Sequence, residues 1–216
     1  MGEIKVAIAD DHKIFRKGVI LSLRHYSNLR FVLEAENGQQ LLDGLKEAKP
    51  NVILMDLRMP VKDGIETTKY ISIHHPDIFV LILTMHEEEK FVIHLMENGA
   101  NGYLLKSSDP VEIKKAITDV VEKGYYLNNF VNRILLKKTQ AKNKPAPSLT
   151  KEIEVSPREK EVLEFICLEL TSQEIGDKMG ISSRTVESIK ERLMERFGLK
   201  NTAGLVFFAV KNNLID

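Results

Sequence analysis

Five short β-branched runs, Ile4 to Ala9, Phe31 to Ala35, Val52 to Met55, Ile78 to Leu83 and Gly102 to Leu105, alternate with stretches of helical period over the first 124 residues. A strand followed by an amphipathic helix and a second strand returns to the same sheet in parallel, with the helix laid across one face. In the first helical stretch Phe15, Val19 and Leu23 recur every four residues beside Ile14, forming one apolar stripe. The repetition predicts a doubly wound α/β domain with a five-stranded parallel sheet, whose ligands gather outside the carboxyl ends of the strands.

Asp109-Pro110 opens the last of these helices, which continues to about Gly124, and a further short helix is expected over 128–138. The stretch from Thr139 to Thr150 carries two prolines and almost nothing to bury, which marks a linker. Beyond it every periodic segment is helical. Ser156 caps a first helix at Pro157, with Val162, Leu163, Ile166 and Leu170 on its buried face. Thr171 or Ser172 caps a second, through Ile175 to Met179, and Gly180 stops it. Ser182 or Ser183 caps a third bearing Val186, Ile189, Leu193 and Phe197, and Asn201 or Thr202 opens a fourth through Leu205, Phe208 and Val210. The expected organisation is an α/β domain over 1–124, a short helix and linker over 125–151, and a small all-α domain over 152–216.

No apolar run is long enough to cross a bilayer, and Met1 to Asp10 has no basic start followed by an apolar stretch and a cleavage site, so neither membrane insertion nor secretion is expected. The single cysteine, Cys167, cannot form an internal disulfide, which suits a reducing cytoplasm, and it reads as a small apolar residue on a helix face. The zero net charge hides an uneven distribution: residues 131–151 carry six basic and no acidic residues, while the flanking segments are each slightly acidic. Only local patches can therefore argue for nucleic acid.

Asp10 and Asp11 follow the first strand and Asp56 follows the third, so a parallel sheet brings these carboxylates to one rim. Clustered carboxylates need a cation. Mg²⁺, which keeps several waters and takes a few oxygen ligands, suits such a set, and Lys106 at the end of the fifth strand supplies a second positive charge. Thr84, ending the fourth strand, offers a hydroxyl at the same rim.

These landmarks carry a family resemblance. Asp10-Asp11-His12, Met55 to Pro60 (Met-Asp-Leu-Arg-Met-Pro) followed by Asp63-Gly64, then Thr84, and Tyr103 three residues before Lys106, resemble the receiver domains of two-component response regulators over residues 3–124. The resemblance implies a flavodoxin-like fold in which Asp56 takes a phosphoryl group from a histidine kinase. It also implies Mg²⁺ held by Asp11, Asp56, the backbone carbonyl of Arg58 and, through water, Asp10. Lys106 would pair with phosphoryl oxygens, Thr84 would hydrogen-bond one of them, and Tyr103 would move inward as the aromatic partner of that switch. Receivers often have proline directly after the lysine; here Ser107, Ser108 and Asp109 precede Pro110, a pattern that resembles the NarL/FixJ branch. Arg58 and His86, two residues beyond Asp56 and Thr84, flank the path of attacking water and bear on how long the phosphoryl group lasts.

The helical segment, with Ser156-Pro-Arg-Glu-Lys-Glu-Val-Leu, Gln173-Glu-Ile-Gly, Ser183-Arg-Thr-Val-Glu and Gly198-Leu-Lys-Asn in order, resembles the LuxR-type helix-turn-helix. The resemblance implies a regulator of transcription that binds paired promoter half-sites in double-stranded DNA as a homodimer formed on phosphorylation. At 100° per residue, Arg184, Glu187, Ser188, Glu191 and Glu195 point away from the apolar stripe of the third helix. Its N-terminal residues Ser183, Arg184, Thr185 and Ser188 are thus offered to the major groove, with Lys190, Arg192, Arg196 and Lys200 placed for flanking phosphates. Glu187 and Glu191 depart from the lysines common there; a glutamate can accept from cytosine N4, repel wrong bases, or stand in solvent. The fourth helix, through Leu205 and Phe208, is a dimer surface on this reading.

Two rival readings make different demands. A phosphoaspartate hydrolase of the haloacid dehalogenase kind shares the acidic α/β pocket but requires an Asp-x-Asp motif after the first strand, where this chain has adjacent acids at 10 and 11. A protein-binding adaptor fits the acids at 187 and 191, and salt-dependent binding to promoter fragments, absent in an adaptor, separates it from a DNA reader. The expectation is therefore a regulator of transcription and not a metabolic enzyme, catalysing only its own aspartyl phosphorylation and slow dephosphorylation.

Overall fold

The computed structural model describes residues 2–85, 89–131, 133, 155–212 and 214–215; His86, the linker over 139–150 and most of the short helix expected over 128–138 lie outside them. Five strands, β1 (Ile4–Ala9), β2 (Leu29–Ala35), β3 (Val52–Met55), β4 (Phe79–Thr84) and β5 (Gly102–Leu105), alternate with helices α1 (Lys13–Leu23), α2 (Gly38–Ala48), α3 (Gly64–His74), α4 (Glu89–Glu97) and α5 (Pro110–Lys123). All strand pairs are parallel, in the order β2-β1-β3-β4-β5. The chain moves outward on both sides of β1 and β3, and the crevice where the order reverses lies between their carboxyl ends.

Alternation of side chains along each strand builds two cores. Ile4, Val6, Ile8, Leu54 and Leu83 face Val19 and Leu23 of α1 and Ile113, Ile117 and Val120 of α5. Ala7, Ala9, Ile53, Met55 and Ile82 face Leu41, Leu45, Ile71 and Leu95 from α2, α3 and α4. Helices on both faces explain why the central strands read as continuous apolar runs without alternation.

Three strand ends differ from the patterning by one or two residues. β2 starts at Leu29 because Ile4 and Lys5 of β1 offer pairing partners to Leu29 and Arg30. β4 starts at Phe79 because the N–H of Ile78 bonds the carbonyl of His75 in a turn, and it extends to Thr84, which pairs with Leu105.

The C-terminal helices are α6 (Pro157–Cys167), α7 (Ser172–Met179), α8 (Ser183–Phe197) and α9 (Thr202–Lys211). Wherever two caps were open, the earlier residue serves, because its side chain reaches the backbone N–H three residues on: Thr171 to Glu174, Ser182 to Thr185 and Asn201 to Gly204. Ser156 with Glu159, and Thr171 with Glu174, complete reciprocal capping boxes. Each such cap contributes about 1 kcal/mol. α9 buries Ala203, Leu205, Val206, Phe207 and Ala209, and Phe208 stacks on Phe197 at 4.4 Å between ring centroids.

The two halves touch. Nδ2 of Asn201 donates to the carbonyls of Gly99 (2.8 Å) and Ala100 (3.1 Å) in the α4–β5 turn, while its Oδ1 caps α9. The Tyr125 hydroxyl donates to the carbonyl of Ile166 at the end of α6, and Lys123 pairs with Glu169 at 3.5 Å. Among the described residues no helix is long and apolar enough to cross a membrane.

Gly64 opens α3 directly under the β3 loop. A Cβ there would lie 2.0 Å from the carbonyl oxygen of Asp56 and 2.9 Å from the Cα of Leu57, both backbone atoms that cannot turn aside. Gly64→Ala is expected to lower the stability of the α/β half by about 3 kcal/mol, the upper range of overpacking costs, measured by urea unfolding; a change under roughly 0.5 kcal/mol would show that this approach is not tight.

Candidate functional site

Each acidic side chain reaches the rim through its strand. The N–H of Asp10 bonds the carbonyl of Ala35, and that of Asp56 bonds the carbonyl of Ala9, so strand pairing itself carries both residues to the crevice. Asp10 and Asp56 are buried, at 1% and 5% exposure, whereas Asp11 and His12 are exposed. One carboxylate oxygen from each of the three acids and a ring nitrogen of His12 lie within 4.8 Å of one another. This donor set can hold a metal ion, and its hardness, three carboxylate oxygens, suits a hard divalent cation. Asp11 and Arg58 line one cleft of about 500 Å³ with Leu57, Met59, Pro60, Asp63 and Ile65.

Lys106 closes the other side of the pocket. Its Nζ lies 2.7 Å from Oδ2 of Asp56 and 2.8 Å from Oδ2 of Asp10, with the side chain 5% exposed. The remaining oxygen of Asp56, Oδ1, accepts the N–H of Leu57 at 2.7 Å. Burial raises the Asp56 carboxyl above the ordinary aspartate value; Lys106 opposes that rise, and the Asp10 charge adds to it. Lys106 loses stability as a cation by burial, but the hydrogen bonds and charges of Asp10 and Asp56 more than restore it and hold its ammonium above the usual lysine value. Thr84 is buried at the end of β4, its carbonyl accepting the N–H of Lys106 at 2.8 Å. Tyr103 is fully buried in β5, its ring tilted against Phe130 at 6.2 Å and its carbonyl bonded by Asn128.

Several supporting residues escaped the reading of the sequence. Arg16, 4% exposed on α1, donates to the carbonyl of Asp10 and pairs with Glu36 at 3.1 Å, anchoring the β1–α1 turn from behind. The ring of Phe15 covers the Lys106 ammonium at 4.9 Å. His12 sits 2.7 Å from Asp11. A polar residue on an otherwise apolar helix stripe was the available signal for Arg16; nothing in spacing pointed to Phe15. Cys167 has its thiol pushed up to about 12 by burial, which leaves it inert at neutral pH.

On α8, Val186, Ile189 and Leu193 are buried, while Arg184, Glu187, Ser188, Glu191, Arg192, Glu195, Arg196 and Lys200 beyond its end are exposed; Ser183 and Thr185 are half-buried. Lys190, expected to reach a flanking phosphate, is instead buried at 5% exposure. It lies four residues after Val186 and so falls on the apolar stripe, 40° away by helical geometry. Arg196 pairs with Glu159 at 3.2 Å.

The fold and this pocket define a phosphorylation-type receiver joined to a helix-turn-helix. A family model of the response regulator receiver domain matches residues 6–118, and one of bacterial regulatory proteins of the luxR family matches residues 154–209. The oxygen regulatory protein NreC of Staphylococcus aureus is 32% identical over 216 residues, covering 99% of this chain and 100% of that protein. RcsB of Salmonella typhimurium is similar in structure at a TM-score of 0.58 with 29% identity, covering 96% of this chain and 98% of the other. RcsB bound to promoter rprA in the presence of a phosphomimetic matches at 0.58 and 28%, covering 98% and 100%. The response regulator ChrA of a heme-sensing two-component system matches at 0.52 and 28%, over the full length of both chains. The chain belongs to the response-regulator family, with a receiver followed by a LuxR-type DNA-binding domain, and it is a transcription regulator of two-component signalling.

Removing Lys106 leaves two buried carboxylates facing each other without a cation. Lys106→Met is expected to destabilise the folded chain by about 3–5 kcal/mol at pH 7. A carboxyl raised on folding contributes most below its unfolded value and loses that contribution as pH rises through the folded one, so part of the loss should return on acidification as Asp56 takes a proton. Urea unfolding from pH 7 down to pH 5 checks both; a pH-independent difference would show that carboxylate crowding is not its source.

Proposed function

We propose that Asp56 accepts a phosphoryl group from a phosphohistidine of a partner histidine kinase and that the phosphorylated chain, as a homodimer, binds paired promoter half-sites in double-stranded DNA. The observation that carries this reading is one desolvated carboxylate at the strand crossover, shared with a single lysine that also holds a neighbouring acid. An oxygen of Asp56 attacks phosphorus, a P–O bond forms, the P–N bond breaks, and the imidazole of the kinase leaves. As the acyl phosphate forms, the Asp56 carboxyl loses its own negative charge and Lys106 transfers its pairing to the phosphoryl oxygens. The Thr84 hydroxyl donates to one of them, and Tyr103 is the aromatic partner of that change. Asp11, Asp56, the backbone carbonyl of Arg58 and, through water, Asp10 would hold Mg²⁺, which neutralises charge on the group in transfer. Arg58, which lines the cleft beside Asp11, bears on the lifetime of the acyl phosphate.

In the output half, Ser183, Arg184, Thr185, Glu187, Ser188 and Glu191 face the major groove, and Arg192, Arg196 and Lys200 meet phosphates. The receiver spans 1–124 and the DNA-binding domain 152–216, joined through 125–151. The chain acts in the cytoplasm, where kinase and promoter are both within reach.

The test is sedimentation and capture of genomic DNA fragments by the full chain with Mg²⁺, with and without beryllofluoride as phosphoryl mimic. Beryllofluoride is expected to raise both the dimer fraction and the DNA affinity at least tenfold, the size of a common coupling energy, and Asp56→Asn is expected to abolish both responses. Unchanged assembly and affinity would overturn the switch, and DNA binding with no dependence on salt would overturn the DNA reading.

A further inference from the structure

Lys190 is a cation inside the helix-turn-helix. Its side chain is 7% exposed, and its Nζ donates to Oε1 of Glu187 at 3.0 Å and to Oγ of Ser172 at 3.3 Å. The Ser172 hydroxyl donates to that same Oε1. Ser172 is the first residue of α7, directly after the Thr171 cap, so the three side chains staple the start of α7 to the second turn of α8.

A lysine so placed needs a counter-charge, because an unpaired buried ion is strongly destabilising. Glu187 supplies it, which accounts for one of the acids on a face that also offers Arg184, Ser188, Glu191 and Arg192. The pairing also changes what Glu187 is. Oε1 is occupied by two donors, and the side chain remains 49% exposed. Among the described residues Oε2 has no hydrogen-bonding partner. The residue therefore presents an acceptor of fixed orientation whose net charge is cancelled from beneath by Lys190, in contrast to a freely rotating anion that phosphates would repel.

We infer that Glu187 is a base-reading residue that selects cytosine, accepting a hydrogen bond from its N4 amino group in the major groove, and that Lys190 and Ser172 are the positioning residues that hold and neutralise it. Adenine N6 and cytosine N4 both offer an amino donor in that groove, but adenine sets the N7 acceptor beside its donor, which repels a carboxylate, so an acceptor-only side chain favours cytosine. The inference rests on the proposed DNA-binding reading.

The test is selection from a random duplex library by the full chain with Mg²⁺ and beryllofluoride, comparing wild type, Glu187→Gln and Lys190→Met, with thermal melts as the check on folding. Glutamine keeps the shape of Glu187 and can still accept from Lys190 and Ser172. The wild-type motif is expected to hold one cytosine per half-site that Glu187→Gln selects at least fivefold less, a typical single-position effect, with the rest of the motif retained. Lys190→Met is expected to weaken binding to every sequence, most at low salt, because the carboxylate is then uncompensated beside phosphates, and to relax the cytosine preference, because Glu187 is no longer held. Identical motifs for wild type and Glu187→Gln would overturn the reading of cytosine, and undiminished affinity in Lys190→Met would overturn neutralisation by Lys190. Absence of any wild-type motif would instead locate the failure in the DNA-binding reading itself.

Discussion

The ammonium of Lys106, lodged between Asp10 and Asp56, is the interaction on which the receiver half turns. Two desolvated carboxylates at adjoining strand ends repel, and only a cation within hydrogen-bonding reach makes their shared burial tolerable. That single contact ties β1, β3 and β5 together at their carboxyl ends, across a sheet in which β3 and β5 are not neighbours. It also makes the pocket responsive. Any group that adds charge to, or removes charge from, Asp56 changes what Lys106 must balance, and Lys106 is joined by its backbone to Thr84 and covered by Phe15.

Much of this could be read from the chain itself because the physical signals were local. Strand runs bounded by polar turns, caps three residues ahead of their N–H partners, and acids following strands each occupy a few consecutive residues. Alternative caps at 171/172, 182/183 and 201/202 were separable only by geometry, since both members of each pair carry a suitable oxygen. The chemical type of Lys190 points to phosphate but its angle on the helix does not: four residues after Val186 it faces inward. Phe15 was invisible as a site residue because its role depends on where the Lys106 side chain ends, and Arg16 showed only as a polar residue on an apolar stripe because its partners Asp10 and Glu36 follow two separate strands. The docking of the two halves was equally out of reach: Asn201 and Gly99 stand 102 residues apart.

The helix-turn-helix shows how a charged residue in a small core constrains its surface. With Lys190 buried, position 187 is no longer free to vary by what suits the groove alone, because it must also satisfy the lysine and Ser172. Core and surface are thus coupled within one turn of α8, and the same three side chains tie α7 to α8 beside the apolar contacts of Ile175, Val186 and Ile189.

Asn201 uses both ends of one amide: the oxygen starts α9, and the nitrogen bonds the α4–β5 turn of the other domain. This has a bearing on modularity. Output domains of this kind can be exchanged between receivers as cassettes only if the junction chemistry travels with them, and here a residue that looks like a private matter of the helix is also half of the joint. A chimera that moves 152–216 onto a foreign receiver keeps its cap but arrives with an amide whose two carbonyl acceptors were left behind.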